Sequence, residues 1–273
     1  MKSKKGKFND SWVTINGLPI YARVSAAPEV QNNPAIVMVH GLVVSSRYMI
    51  PTAEHLAEHC RVYIPDLPGY GNSGKPKHIL TISELADALA AWMEVTGLEK
   101  ATLLGNSMGG QIIASFALRH SARLERAVLV GPTMDPQART AHQQILRWLR
   151  NIPGEPLSLF PIVTLDYLQI GFRRFVHTFR YALRNRIEEH LPSMHVPTLV
   201  VGGARDTVVP SRWLQEVTQL LPNGQFTIID GAAHDVNYNS PQQLTQAILK
   251  FIQTTPTSSP LRNARTAALN SSG

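Results

Sequence analysis

Only one cysteine, Cys60, occurs in the 273 residues, so no disulfide can form within the chain. A small disulfide-stapled scaffold is thereby excluded, and a reducing compartment fits. Cys60 precedes the apolar "VYI", where a small buried thiol is expected rather than a reactive one. Long hydrophobic runs are also missing. No window approaches the eighteen or so consecutive apolar residues of a transmembrane helix, so no membrane span is expected. The basic N-terminus runs into "GKFNDSWVTING" without an apolar stretch or cleavage signal, and a cytoplasmic protein is the expectation. Charge is sparse at 16%, and the net +7 is unevenly placed. Lys2, Lys4, Lys5 and Lys7 against Asp10 make residues 1–10 a basic tail of +3, and Arg262 and Arg265 add +2 in residues 255–273. Only +2 remains for the body, which is close to neutral, so no nucleic-acid partner is expected.

What is present is a strand–helix alternation. "SWVTINGLPIYARVS" (11–25) reads as two strands joined at Asn16-Gly17, a hairpin signal. "AIVMVH" (35–40), "RVYIPD" (61–66), "ATLLG" (101–105), "RAVLVG" (126–131), "PTLVVGG" (197–203) and "QFTIID" (225–230) are apolar runs of the kind buried on both faces of a parallel sheet. Helical stretches are expected near 46–59, 81–97, 108–120, 211–221 and 241–253, the second opened by a Thr81/Glu84 capping box. Alternation of this kind specifies an α/β fold with a parallel sheet.

Residues 132–192 break the rhythm. They hold helical stretches such as "ARTAHQQILRWLRN" and "FRRFVHTFRYALRNRIEEH" and no convincing strand, too long for a simple loop. This segment reads as a helical insertion over a core of residues 11–131 and 193–254. Its aromatics, Trp148, Phe160, Tyr167, Phe172, Phe175 and Phe179, are expected to pack among the insertion's helices and to favour an apolar ligand beneath it. Residues 255–273, polar and rich in proline and serine, read as a disordered tail.

The chemistry-bearing stretch is "LLGNSMGGQI" (103–112). Gly-x-Ser-x-Gly arises by chance in roughly one protein of this length in ten, so its context must decide. Ser107 stands between a buried strand and an apolar helix, where a tight turn would lift its hydroxyl above the sheet's carboxyl edge. A serine nucleophile needs a base, and the base needs a carboxylate. "VVGGARDTVVP" places Asp206, and "IIDGAAHDVNYNSP" places His234, each in the loop after a later strand. Asp135, after strand 126–131, is a rival for the acid, and Asp235 is adjacent to the histidine. Donors for an oxyanion would be the Met108 amide and, from "VMVHGLVVSS", that of Leu42 with Val43 as the fallback. His40 and Gly41 then shape the loop.

Together "VHG" (39–41), "DLPGYGNSG" (66–74), "GNSMGG" (105–110), "GARDTVV" (203–209) and "GAAH" (231–234) resemble the α/β-hydrolase superfamily over about residues 11–253. The resemblance implies a mostly parallel eight-stranded sheet with helices on both faces, a cap at 132–192, the triad Ser107–Asp206–His234 and no cofactor or metal. A serine nucleophile departs from the branches that alkylate an aspartate. The elbow is similar to that of meta-cleavage C–C bond hydrolases, but Leu42-Val43-Val44 replace their glycine-rich loop, and no matching aromatic follows His234 closely. Hydrolysis of small, largely apolar carboxylic esters or lactones is the expectation. C–C bond hydrolysis and a non-catalytic small-molecule-binding role on the same fold are the alternatives.

Overall fold

The structure is a computed structural model that describes residues 7–26, 28–30 and 33–255. The first six residues of the basic tail and almost all of the expected C-terminal tail lie outside it. Strands β1 (Phe8–Ile15) and β2 (Leu18–Ser25) form a hairpin, followed by β3 (Ala35–Val39), helix α1 (Ile50–Leu56) and β4 (Arg61–Pro65). Helix α2 (Ile82–Val95), β5 (Ala101–Asn106), α3 (Met108–Arg119) and β6 (Leu124–Val130) come next. Four helices then intervene: α4 (Ala141–Asn151), α5 (Leu159–Ile170), α6 (Phe172–Arg184) and α7 (Ile187–His190). The chain returns through β7 (Thr198–Gly203), α8 (Ser211–Leu220), β8 (Gly224–Ile229), α9 (Val236–Asn239) and α10 (Pro241–Thr254).

The eight strands make one sheet in the order β1-β2-β4-β3-β5-β6-β7-β8, parallel from β4 to β8 and antiparallel at the hairpin end. The expected α/β architecture is therefore observed. Its core explains the unbroken apolar strands. In β3, Ala35, Val37 and Val39 pack with α2, α3 and α8 residues, whereas Ile36 and Met38 pack on the opposite face with α1 and α10. Successive side chains point to opposite faces, and both faces are covered. Cys60 is buried, and burial pushes its thiol up to about 11, as expected for an inert thiol.

Two boundaries differ from expectation. β1 starts at Phe8, so residues 8–10 of the anticipated tail are paired with Ser25, Val24 and Arg23. As an edge strand β1 needs no apolar signal on its outer side, and polar Asn9 and Asp10 are tolerated there. The 46–59 stretch is shorter, a single 3-10 turn at Ser46–Met49 followed by α1.

Candidate active site

Ser107 sits between β5 and α3 with φ 55° and ψ −118°, a conformation that strains any residue with a side chain. Close packing holds it there. The Ser107 amide donates to the Val130 carbonyl at 2.9 Å. A Cβ on Gly105 would lie 2.5 Å from the Gly109 carbonyl carbon, and one on Gly109 would lie 2.4 Å from the Val39 oxygen. Only glycine lets the helix approach the sheet so closely, which is the physical content of the motif.

Asp206 and His234 meet at the same edge. One carboxylate oxygen of Asp206 accepts from the amides of Val208 (2.8 Å) and Val209 (2.9 Å), and the other faces His234 Nδ1 at 2.8 Å. Gly131 underlies the pair: a Cβ there would stand 3.2 Å from His234 Cε1 and 3.4 Å from the acid. Because Gly131 follows Val130, the residue that anchors Ser107, the elbow and the imidazole are held over adjacent backbone atoms. Among the described residues no hydrogen bond occupies the Ser107 hydroxyl.

Asp135 has other work. It is buried, accepts both oxygens' bonds from Arg212 at 2.8 Å, accepts Arg147 at 2.8 Å, and caps the turn at Gln137. Burial alone would raise its carboxyl, but these donors, Arg212 first, hold it below the usual range. Asp235 is half-buried beside the histidine, and desolvation lifts its carboxyl to about 7. Burial opposes a charge on His234, yet Asp206, Asp235 and Glu155 outweigh it and raise the imidazole to about 9.

The candidate oxyanion donors lie on the other side of Ser107. Met108 opens α3, so its amide has no acceptor within the helix. A Cβ on Gly41 would touch Ser107 Cβ at 3.4 Å, which brings the loop after β3 against the elbow. The Gly41 amide is taken by the Tyr48 hydroxyl at 2.8 Å, leaving the next amide, that of Leu42, without a partner among the described residues. His40 is fully buried with Nε2 accepting the Leu67 amide at 3.1 Å, and burial lowers its pKa. It shapes the loop, as expected. The "DLPGYGNSG" turn closes on Asp66, which accepts the amides of Ser46 and Asn72.

Three participants escaped the sequence reading. The Tyr48 hydroxyl donates to Asn106 Oδ1 at 2.9 Å, and Asn106 Nδ2 reaches the His234 carbonyl at 3.3 Å. These bonds form one strut from the oxyanion loop through the elbow to the histidine loop. Glu155, in the insertion, accepts the Asp235 amide and the Asn239 side chain, both at 3.0 Å. No local signal marks these bonds, which span 58 to 128 positions.

The insertion's aromatics divide. Tyr167, Phe175 and Phe179 are part-buried and in mutual contact. Trp148, Phe160 and Phe172 are instead 50%, 37% and 70% exposed, contrary to the packing expected of them. Arg174 turns inward, against Gly69 and the Pro76 carbonyl, and burial lowers its pKa. Among the described residues no group of three or more His, Cys, Asp or Glu is placed to hold a metal ion.

A family profile described as the alpha/beta hydrolase fold matches residues 34–161, and a second, described as TAP-like protein, matches residues 179–261. The chain is 26% identical over 267 residues to RutD of Caulobacter sp. (strain K31), whose name carries carbamate hydrolase as a provisional activity, covering 88% of this chain and 97% of that protein. It is 25% identical over 244 residues to carboxylesterase YbfK of Bacillus subtilis (strain 168), covering 80% of each. A thermophilic esterase from Thermogutta terrifontis superposes with a TM-score of 0.74 at 22% identity, over 91% of this chain and all of that one. Sheet order, elbow and profile matches agree: the chain belongs to the α/β-hydrolase superfamily.

Proposed function

We propose that the protein is a serine hydrolase that cleaves carboxylic esters or lactones of small, largely apolar substrates, with Ser107, His234 and Asp206 as its triad. The observation that carries this reading is the buried Asp206–His234 pair set over the backbone that anchors a strained Ser107. Because His234 Nδ1 faces Asp206, it keeps its proton and leaves Nε2 as the base. Nε2 takes the Ser107 proton as the hydroxyl oxygen attacks the ester carbonyl. The Met108 and Leu42 amides hold the oxyanion. Collapse expels the alcohol, which takes the proton from Nε2. Water, deprotonated by the same nitrogen, then attacks the acyl-enzyme, and the acid departs as Ser107 regains its proton.

The apolar preference follows from what surrounds the elbow. Val43, Met108, Met134 and Ile170 share one apolar cluster, with Leu42, Tyr167 and Phe175 packed against it. A substrate site opening onto this cluster would take uncharged groups most readily. We read residues 132–192 as the cap and residues 11–131 with 193–254 as the core.

The test is hydrolysis of a short aromatic ester together with labelling by a fluorophosphonate. Turnover and a label on Ser107 support the reading. Fading of a yellow meta-cleavage substrate in place of ester turnover would reassign the enzyme to C–C hydrolysis. A folded protein with neither activity nor label would mean a binding role.

A further inference from the structure

The outer face of the insertion is built backwards for a helix packed on a protein. In α4, Gln144, Arg147 and Asn151 follow one another at helical spacing and face the body. Each is hydrogen-bonded there: Gln144 to the Ala138 carbonyl, Arg147 to Asp135 and the Val208 carbonyl, Asn151 to Glu155. The apolar residues of the same helix, Ile145, Leu146, Trp148 and Leu149, are 49%, 46%, 50% and 51% exposed. An amphipathic helix on a water-soluble surface has the opposite arrangement. Exposed apolar residues continue through Leu157, 85% exposed, to Leu165 and Leu168 in α5, which buries the acid Asp166 along with Leu159 and Ile170. Nine of the fourteen large exposed hydrophobics among the described residues fall between Ile145 and Phe172. Scattered exposure is ordinary; concentration on one substructure marks an interaction surface.

Charge narrows the occupant. Residues 141–184 contain six arginines, no lysine and only two acids, Glu155 and Asp166. Both acids are engaged within the protein, Glu155 by Asn151, Asn239 and the Asp235 amide, Asp166 by Ser45 and Arg47. Arg150, Arg173, Arg180 and Arg184 are exposed. A second copy presenting the same face would oppose like charges. The apolar side chains stand out from the helices, which suits insertion into a fluid phase. Tryptophan and leucine outward, with arginine and no free acid alongside, is the composition of helices that lie in a lipid interface.

We propose that the cap helices α4 and α5, with the connection through Leu157, dock the protein on an anionic lipid surface without crossing it. No helix among the described residues is long and apolar enough to span a membrane. The docking face adjoins the candidate active site: a Cβ on Gly154 would lie 3.1 Å from Ala233 Cβ, and Glu155 holds the amide next to His234. The inference rests on the outer surface alone and stands or falls independently of the ester-hydrolase reading.

The full chain is mixed with phosphatidylcholine vesicles, with or without phosphatidylglycerol, and followed by co-sedimentation and tryptophan emission. Trp92 and Trp213 are buried, so Trp12→Phe leaves Trp148 as the exposed tryptophan. Binding to the anionic vesicles, a blue shift of Trp148 and quenching by brominated acyl chains are expected. Leu146→Ser with Leu149→Ser should weaken binding at least about tenfold at unchanged thermal midpoint. Arg150→Gln should weaken it about fivefold and flatten its salt dependence. Binding that survives the leucine replacements would assign it to basic charge elsewhere, such as the chain termini, and overturn the proposal. So would failure to bind anionic vesicles at low salt, capture of an acidic protein without vesicle binding, or a dimer in solution that buries Trp148.

Discussion

At the carboxyl edge of the sheet, polar groups are buried and nearly all are partnered, whereas on α4 the inward polar groups are again partnered but apolar ones are left in water. Asp206 accepts two backbone amides and faces His234, and the Tyr48–Asn106 strut ties the surrounding loops. Ile145, Leu146, Trp148 and Leu149 have no such partners. The first region is held by hydrogen bonds, the preorganisation that the proposed catalysis would require. The second is a surface whose stability does not depend on what it exposes. In both places the inward polar side chains of the site and of α4 find partners, and burial of apolar area is what differs between them.

That contrast breaks first at the elbow. Ser107→Ala should remove nearly all ester turnover, about 10⁴-fold or more, while far-UV circular dichroism and thermal midpoint stay unchanged. A folded, active variant would refute the nucleophile.

The two buried aspartates offer the next cut. Asp206→Asn should cost on the order of 10⁴-fold in kcat, because the amide presents a donor to the imidazole and disturbs its tautomer. Asp135→Asn should leave kcat within a few-fold but lower stability by about 2 kcal/mol in urea unfolding, since Arg147 and Arg212 lose the carboxylate charge and one of its two acceptor oxygens. The reverse ranking would move the acid to Asp135.

The raised His234 pKa makes a prediction about pH. If the neutral imidazole is the base, kcat/KM should climb about tenfold per pH unit along a limb that ends above 6.5, toward about 9. Asp206→Asn should move that limb down. Stability runs the other way. A folded pKa above the unfolded one stabilises the fold fully below 6.5 and loses that stabilisation as pH rises toward about 9, so unfolding free energy should fall across that window. A limb at 6 or below would contradict the charge environment described.

The smallest expected effect concerns the substrate. Each added methylene on an uncharged acyl chain should raise kcat/KM about two- to fourfold until the space is filled. An ester of equal length ending in a carboxylate should be poorer, since its hydration is stripped without a partner. A preference for the carboxylate, abolished by Arg174→Ala, would show that the inward arginine receives it.

The legible part of this protein was local. Gly105, Ser107 and Gly109 could be read as an elbow because the requirement for glycine arises from atoms a few residues away, and β3, β5, β6 and β7 could be placed because burial on both faces writes itself as unbroken apolar sequence. The order Ser107, Asp206, His234 was readable because each follows its own strand. Tyr48, Asn106 and Glu155 were not, because their hydrogen bonds close loops between distant segments and leave no periodicity. α4 shows where sequence stops. Its periodicity specified two faces, one polar and one apolar, but not which would turn inward. Tertiary structure decided that, because Asp135, the Val208 carbonyl and Glu155 are partnered by Arg147 and Asn151 of α4, so its apolar residues were left facing outward.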